Sequence, residues 1–312
     1  MSDGLRYGSA STSATKSGDV PVPGSTRSSN RTRAGRASLT PKQAEIRNRE
    51  AAILRIARPR LARGGLAALS MEAIAREMSY AKGTIYNHFS CKEEILLALA
   101  IGANNKRREL FLTAVESMST SRDKIAAIGV ACQDFRVRFA DLFQIDVLVR
   151  HSTVWEKVSE QRREAMALCE QRCMGVVVNV GMEAVRRGDL TLPDSLCIED
   201  VMFGLWSLTY GGMLIEGSSP GLDRLGIHDG FSAIRRNCHA LMDGYQWKPL
   251  YDAEHDEILI QKVRSLLHRE VGQELKIESE SAVADGPSSR GTVVTVDPPD
   301  AMASQSLQGA KQ

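Results

Sequence analysis

The sequence predicts an all-α protein, and three observations carry that expectation. From residue 45 to 250 apolar residues recur at intervals of three and four. Runs of alternating β-branched residues are absent from that stretch. The punctuation is of the helix-ending kind: Gly64-Gly65, Gly188, Pro193 and the cluster from Gly217 to Gly221.

Composition agrees with a soluble globular chain. Of 312 residues, 43% are hydrophobic and 25% charged, enough for one large or two modest domains. The longest uncharged apolar run, Val201 to Ile215, has 15 residues, short of the roughly 20 a bilayer span needs. No apolar stretch opens the chain, so no secretory signal is expected. Six cysteines at irregular spacing read as the reduced thiols of a cytoplasmic protein, not as a disulfide framework.

Residues 1–46 read as a flexible basic arm. The first 40 residues hold 14 Ser or Thr, five Gly and two Pro, too little apolar surface to offset the entropy of ordering them. The net charge of the chain is +2, yet Arg27 to Arg63 holds eleven Lys or Arg against Glu45 and Glu50. Such a concentration suits phosphate contact, with a solubilising tail as the plainer alternative.

The next segment, 47–107, holds the most informative block. Ile53, Ala57 and Leu61 line one face of a first helix, which Gly64-Gly65 stops. Pro59 inside it should kink or break a turn. Ser70 is placed to cap a short helix from Met71 to Met78, and Glu72 suits its positive N-terminal end. A second short helix follows, from about Ala81 to His88, anchored by Ile85 and Phe89. Two short helices joined by a tight turn make a helix-turn-helix over about 70–89.

The second helix must be slim enough for a major groove about 12 Å wide. Lys82, Thr84, Asn87 and His88 offer donors, Gly83 permits close backbone approach, and Tyr86 suits a phosphate oxygen. Lys92 adds charge at a helix N-terminus, and Ser70 completes the candidate set. Ile85, Phe89 and a half-buried Tyr86 have an alternative reading as plain core.

The runs Ser70-Met71-Glu72-Ala73-Ile74-Ala75-Arg76-Glu77, Lys82-Gly83-Thr84-Ile85-Tyr86-Asn87-His88-Phe89 and Lys92-Glu93-Glu94 resemble the tetracycline-repressor (TetR) family of transcriptional regulators. The resemblance implies a three-helix DNA-binding headpiece followed by a helical effector-binding and dimerisation domain. Its implied partners are a palindromic operator in double-stranded DNA, a small-molecule effector and a second copy of the chain. Three positions depart from the family pattern, Pro59 inside the first helix being one. Ser79 stands where a turn glycine is common, and Ala81 stands where a capping Ser or Thr is common.

Residues 108–250 are expected to form that second domain. Candidate pocket residues are Phe139, Arg150, His151, Trp155, Met166, Trp206 and Tyr210, where large rings and a few polar groups could line a cavity. Phe231, Ile234, Cys238, Leu241 and Tyr245 follow 3-4-3-4 spacing, a seam suited to a dimer partner or to an intramolecular neighbour. Cys169 and Cys173, four apart, read as core. Residues 251–272 form one more amphipathic helix, and 273–312, acidic and Ser-rich, a disordered tail.

Phosphate-loop, Rossmann, nucleophile-elbow and zinc-protease patterns are missing from the sequence, so no catalytic residue, cofactor or metal ligand is assigned. The expected function is that of a DNA-binding regulator, a repressor released from its operator by a small molecule. The alternative is a helical adaptor whose headpiece no longer binds DNA.

Overall fold

A computed structural model describes residues 40–150 and 152–284, and every regular element among them is helical. The described chain divides in contact terms at Glu45/Ile46. On the N-terminal side, Thr40 closes a capping box at the start of α1 (Pro41–Gly64). Gln43 N donates to Thr40 Oγ1 at 3.3 Å, and Thr40 N donates to Gln43 Oε1 at 2.9 Å. Pro41 fits the first helical position, where its missing N–H costs nothing. The helix thus begins inside the stretch assigned to the arm. The other arm residues, with their arginines, lie outside the described residues.

The expected break at Pro59 does not occur, and α1 runs on to Gly64. Arg60 donates to the Ile56 carbonyl at 2.8 Å and Arg63 to the Pro59 carbonyl at 3.1 Å, so guanidinium groups supply donors beside the interruption. A 3-10 turn (Gly65–Ala68) leads to α2 (Met71–Glu77), α3 (Lys82–His88) and α4 (Lys92–Glu116).

The described residues from 46 onward form one compact unit. Helix α4 crosses residue 107, the expected domain boundary, without interruption. It is buried on most sides through Ile95, Leu96, Ala100, Ala103, Leu110 and Phe111, as a central helix must be. Around it pack α5 (Ser121–Arg138), α6 (Ala140–Val149) and α8 (Glu160–Arg187), with short α7 (Ser152–Trp155) between the last two. Helix α8 ends as its sequence predicts, with Arg186 and Arg187 in the last turn and Gly188 at φ +75°.

Helices α9 (Ile198–Ser218) and α10 (Gly230–Gly244) pack on each other. The last helix, α11 (Ala253–Ala284), lies on α5 and α4 through Leu259, Ile260, Val263 and Leu267. Three carboxylate–imidazole pairs join it to its neighbours: His255 with Asp123 at 2.9 Å, Asp256 with His239 at 3.1 Å, and His268 with Asp134 at 3.5 Å. The helix continues past Gly272 into the segment expected to be disordered; Gly costs only about 1 kcal/mol in a helix interior. No helix among the described residues is long and apolar enough to cross a membrane.

Candidate nucleic-acid interface and interior cavity

Helices α2 and α3 meet through a core of Met71, Ile74, Ala75, Ile85 and Phe89. Ser70 Oγ accepts the Ala73 N–H at 3.3 Å and donates to Glu72 Oε2 at 3.1 Å, so its role in the fold is that of a helix cap. The turn between the helices is a Schellman motif. Tyr80 N donates to Ala75 O at 2.9 Å and Ser79 N to Arg76 O at 3.1 Å. Ser79 holds φ +55° there, the left-handed conformation that its sequence position implied and that a side chain disfavours. Ala81 begins α3 with no side-chain cap.

The outer surface of α3 presents Lys82, Gly83, Tyr86 and Asn87, all exposed, with Thr84 half-buried beside them. A Cβ on Gly83 would meet nothing within 4 Å, so the backbone is open to close approach. The Lys82 ammonium lies 5.5 Å from the centre of the Tyr86 ring and forms an ion pair with Glu72 of α2. That ammonium and the helix N-terminus hold the Glu72 carboxyl at about 2.

Two expected members of the set point elsewhere. His88 has a 10% exposed side chain and faces Glu50 of α1 at 3.6 Å. Lys92 is half-buried and donates to the Leu66 carbonyl at 2.7 Å, tying α4 to the turn after α1. The Glu50 carboxylate draws the first inward and the Leu66 carbonyl the second.

The base of the headpiece is clamped. Glu93 and Glu94, in the first turn of α4 and 5% exposed, receive Lys157 at 3.2 Å, the Ser159 N–H at 2.6 Å and Arg162 at 2.9 Å. Those partners hold both carboxyls below their usual range against the opposing effect of burial. Arg58 of α1 grips Asp141 of α6 with two bonds, of 2.5 and 2.9 Å.

A cavity of about 350 Å³ lies among α4, α5, α8, α9 and α10. Its wall is mainly apolar, with Phe111, Ile125, Phe143, Val177, Leu205 and Met242 among the lining residues. Three of the expected residues, Arg150, Trp206 and Tyr210, line it. The others do not. Phe139 stacks on Phe135 at 5.8 Å with Lys106 and Arg138 over its ring. Met166 is fully buried core, and Trp155 packs half-buried against the core and accepts Arg163 at its carbonyl. His151 lies outside the described residues.

Several lining residues were not expected. Arg107 bridges to Asp146 at 3.3 Å and bonds Asn104, while Arg150 reaches Asp146 at 3.5 Å and Tyr210 Oη at 3.0 Å. Gln133, Glu170, Arg235, His239 and the thiols Cys132, Cys173 and Cys238 also line it. Burial pushes the Cys132 thiol and the Tyr210 phenol each to about 12. The signal for Asn104 and Arg107 was available: they interrupt the apolar face of a helix that is otherwise buried. Cys169, by contrast, is core, with its thiol bonded to Asn105 at 3.2 Å.

The 3-4-3-4 seam of α10 is occupied from within the chain. Phe231, Ile234, Cys238, Leu241 and Tyr245 are half-buried against the core. Ile234 sits on Gly212 and Leu241 on Gly204, both in α9, so glycines admit the seam side chains. Exposed apolar side chains remain on α9 itself, where Phe203 is 62% and Ile215 56% exposed.

Residues 53–99 match the family model of bacterial regulatory proteins, tetR family. Comparison with curated proteins gives no match. Among solved structures, a protein with unknown function from Rhodococcus sp. RHA1 is similar at TM-score 0.52 and 20% identity, covering 63% of this chain and 95% of that one. A bacterial regulatory protein in the tetR family from Rhodococcus RHA1 follows at 0.48 and 15%, covering 63% and 96%. The TetR family transcriptional regulator PfmR from Thermus thermophilus follows at 0.47 and 14%, covering 61% and 97%.

Proposed function

We propose that this chain, whose residues 53–99 match the family model of bacterial regulatory proteins, tetR family, is a repressor released from a palindromic operator by a small molecule. The exposed face of α3 carries the reading. Lys82, Gly83, Tyr86 and Asn87 stand on a helix whose other side is fixed by Ile85 and Phe89. A rigid seven-residue helix with donors outward and an open glycine suits a major groove.

One headpiece reads few base pairs, so two copies are needed for a palindrome. The second copy docks on the open surface of α9, where Phe203, Leu208 and Ile215 are exposed and Gly211 has free space beside its Cα. We place the dimer surface there in preference to the α10 seam. The effector occupies the interior cavity. Helix α6 carries its signal: Asp146 pairs with the lining residues Arg107 and Arg150, and Asp141, five residues earlier, holds α1 through Arg58.

The test is fluorescence anisotropy on the chain's own upstream DNA and on random duplex, over a salt series. Tyr86→Ala should weaken both alike, since phosphates carry no sequence. Asn87→Ala should weaken the operator alone by roughly 1–3 kcal/mol. Equal affinity of the native chain for both duplexes, with no effect of either substitution, would overturn the reading.

A further inference from the structure

The cavity's polar groups narrow the chemistry of what fills it, on the reading that this cavity is the effector site. Gln133 is 6% exposed and donates through Nε2 to the Phe231 carbonyl at 3.0 Å. That bond fixes the amide: turned over, it would set oxygen against oxygen. Its Oε1 is therefore an acceptor, closed off from solvent and without a hydrogen-bond partner, on a residue of the cavity lining. A buried acceptor left unmade costs free energy that a ligand donor would recover.

The second polar feature is a charge imbalance. Arg107 from α4 and Arg150 from the end of α6 converge on one oxygen of Asp146, at 3.3 and 3.5 Å, and Asp146 is 0% exposed. Two guanidinium groups thus share one fully buried carboxylate through long contacts. The Arg150 guanidinium is held against Tyr210, 4.7 Å from its ring centre, and 5.4 Å from that of Trp206. Glu170 of α8 also lies in this wall; burial raises its proton affinity, so it opposes a bound anion less than a solvated carboxylate would. A planar carboxylate matches a guanidinium's fork of donors.

We propose that the cavity binds a small apolar carboxylic acid that also carries one hydroxyl or N–H donor. The carboxylate pairs with Arg150 and Arg107, the donor meets Gln133 Oε1, and the apolar body lies along Phe111, Ile125, Val177 and Leu205. A volume of about 350 Å³ is at the small end of ligand pockets.

The experiment is calorimetric titration of the full chain with decanoic acid, three hydroxydecanoic acids differing in hydroxyl position, 1-decanol and decyltrimethylammonium. Decanoate should bind about tenfold or more tightly than decanol, the effect of one charge-assisted hydrogen bond. The quaternary amine should bind weakest. At least one hydroxydecanoate should exceed decanoate, and Gln133→Met should abolish that gain. Arg150→Met should erase the preference for acid over alcohol while decanol still binds. Glu170→Gln, which leaves the two arginines and Gln133 in place, should tighten decanoate several-fold. The proposal is overturned if decanol or the amine binds as well as decanoate, if no hydroxyl position gains, or if no probe binds. Anisotropy on operator DNA separates the two readings. Decanoate that binds without releasing DNA refutes the effector role and keeps the ligand class. Release by some other compound, from a chain that ignores acids, does the reverse.

Discussion

Replacing Phe203 and Ile215 by Glu should split the dimer and leave the protomer folded. The two side chains are 62% and 56% exposed. A carboxylate at either position stays hydrated in the single chain, so protomer stability should move by no more than ~0.5 kcal/mol. The dimer responds differently. A phenylalanine side chain offers ~200 Å². At 62% exposure about 120 Å² of each Phe203 remains to be covered, worth ~3 kcal/mol at ~25 cal/mol per Å². Two-fold symmetry makes that ~6 kcal/mol, before Ile215 or the repulsion of like charges is added. At ~1.4 kcal/mol per power of ten, the dissociation constant should rise by about four powers of ten or more. Sedimentation velocity at micromolar chain should show a monomer, urea denaturation an unchanged midpoint, and anisotropy a loss of operator binding. The control is Ile234→Glu with Leu241→Glu on α10. Those side chains press on Gly212 and Gly204, and Ile234 also lines the cavity. Charges there should cost several kcal/mol of fold stability. A dimer that survives the α9 pair, or a well-folded monomer from the α10 pair, would refute the assignment and return the interface to α10.

Three further outcomes follow from local geometry. Ser79→Gly should stabilise the headpiece by about 0.5–1 kcal/mol in urea denaturation, because a left-handed residue costs ~1–2 kcal/mol with a side chain and glycine returns ~0.4–1 through the unfolded state; a lower midpoint would mean that Ser79 makes an unseen contact. Glu72→Gln should free Lys82 and steepen the salt dependence of DNA binding by about one ion. With the Glu72 carboxyl at about 2, its ion pair stands at every pH above the ordinary 4.5 and fades only as pH falls from there toward 2, so affinity that shifts between pH 6 and 8 through Glu72 would contradict it. Asp141→Asn should cost only about 0.5–1 kcal/mol of stability, since the pair with Arg58 is more than a third exposed, yet it should reduce the factor by which decanoate lowers operator affinity; an unchanged factor would exclude this pair from the coupling.

What the sequence disclosed was mainly local. Ser70, Gly64-Gly65, Gly188 and the strain at Ser79 could be read because caps, stops and left-handed turns depend on a few adjacent residues. Helix α3 and its anchors Ile85 and Phe89 were legible for the same reason. The orientation of His88 and Lys92 was not, because it depends on Glu50 and Leu66, both distant in sequence. The α10 seam shows the same limit: its spacing says that a face is covered, and only the glycines of α9 show by what. Phe139, Trp155 and Met166 looked like pocket residues because a large apolar side chain reads alike in a wall and in a packed core. The cavity's charged residues were passed over because Arg107 and Glu170 are of types usually found in solvent.

Helix α4 imposes a constraint of phase. Its first turn is pinned by Lys157, Ser159 and Arg162, while Asn104 and Arg107 of the same unbroken helix stand in the cavity wall. One residue inserted between these points would turn one end against the other by about 100° and lengthen the rod by ~1.5 Å. Either the clamp or the wall would then face the wrong way. Single substitutions can retune the two ends separately, but a change of length between them is felt by both at once. Over evolutionary time the cavity's residues are free to drift to new ligands, whereas the spacing from Glu94 to Asn104 has to be inherited intact.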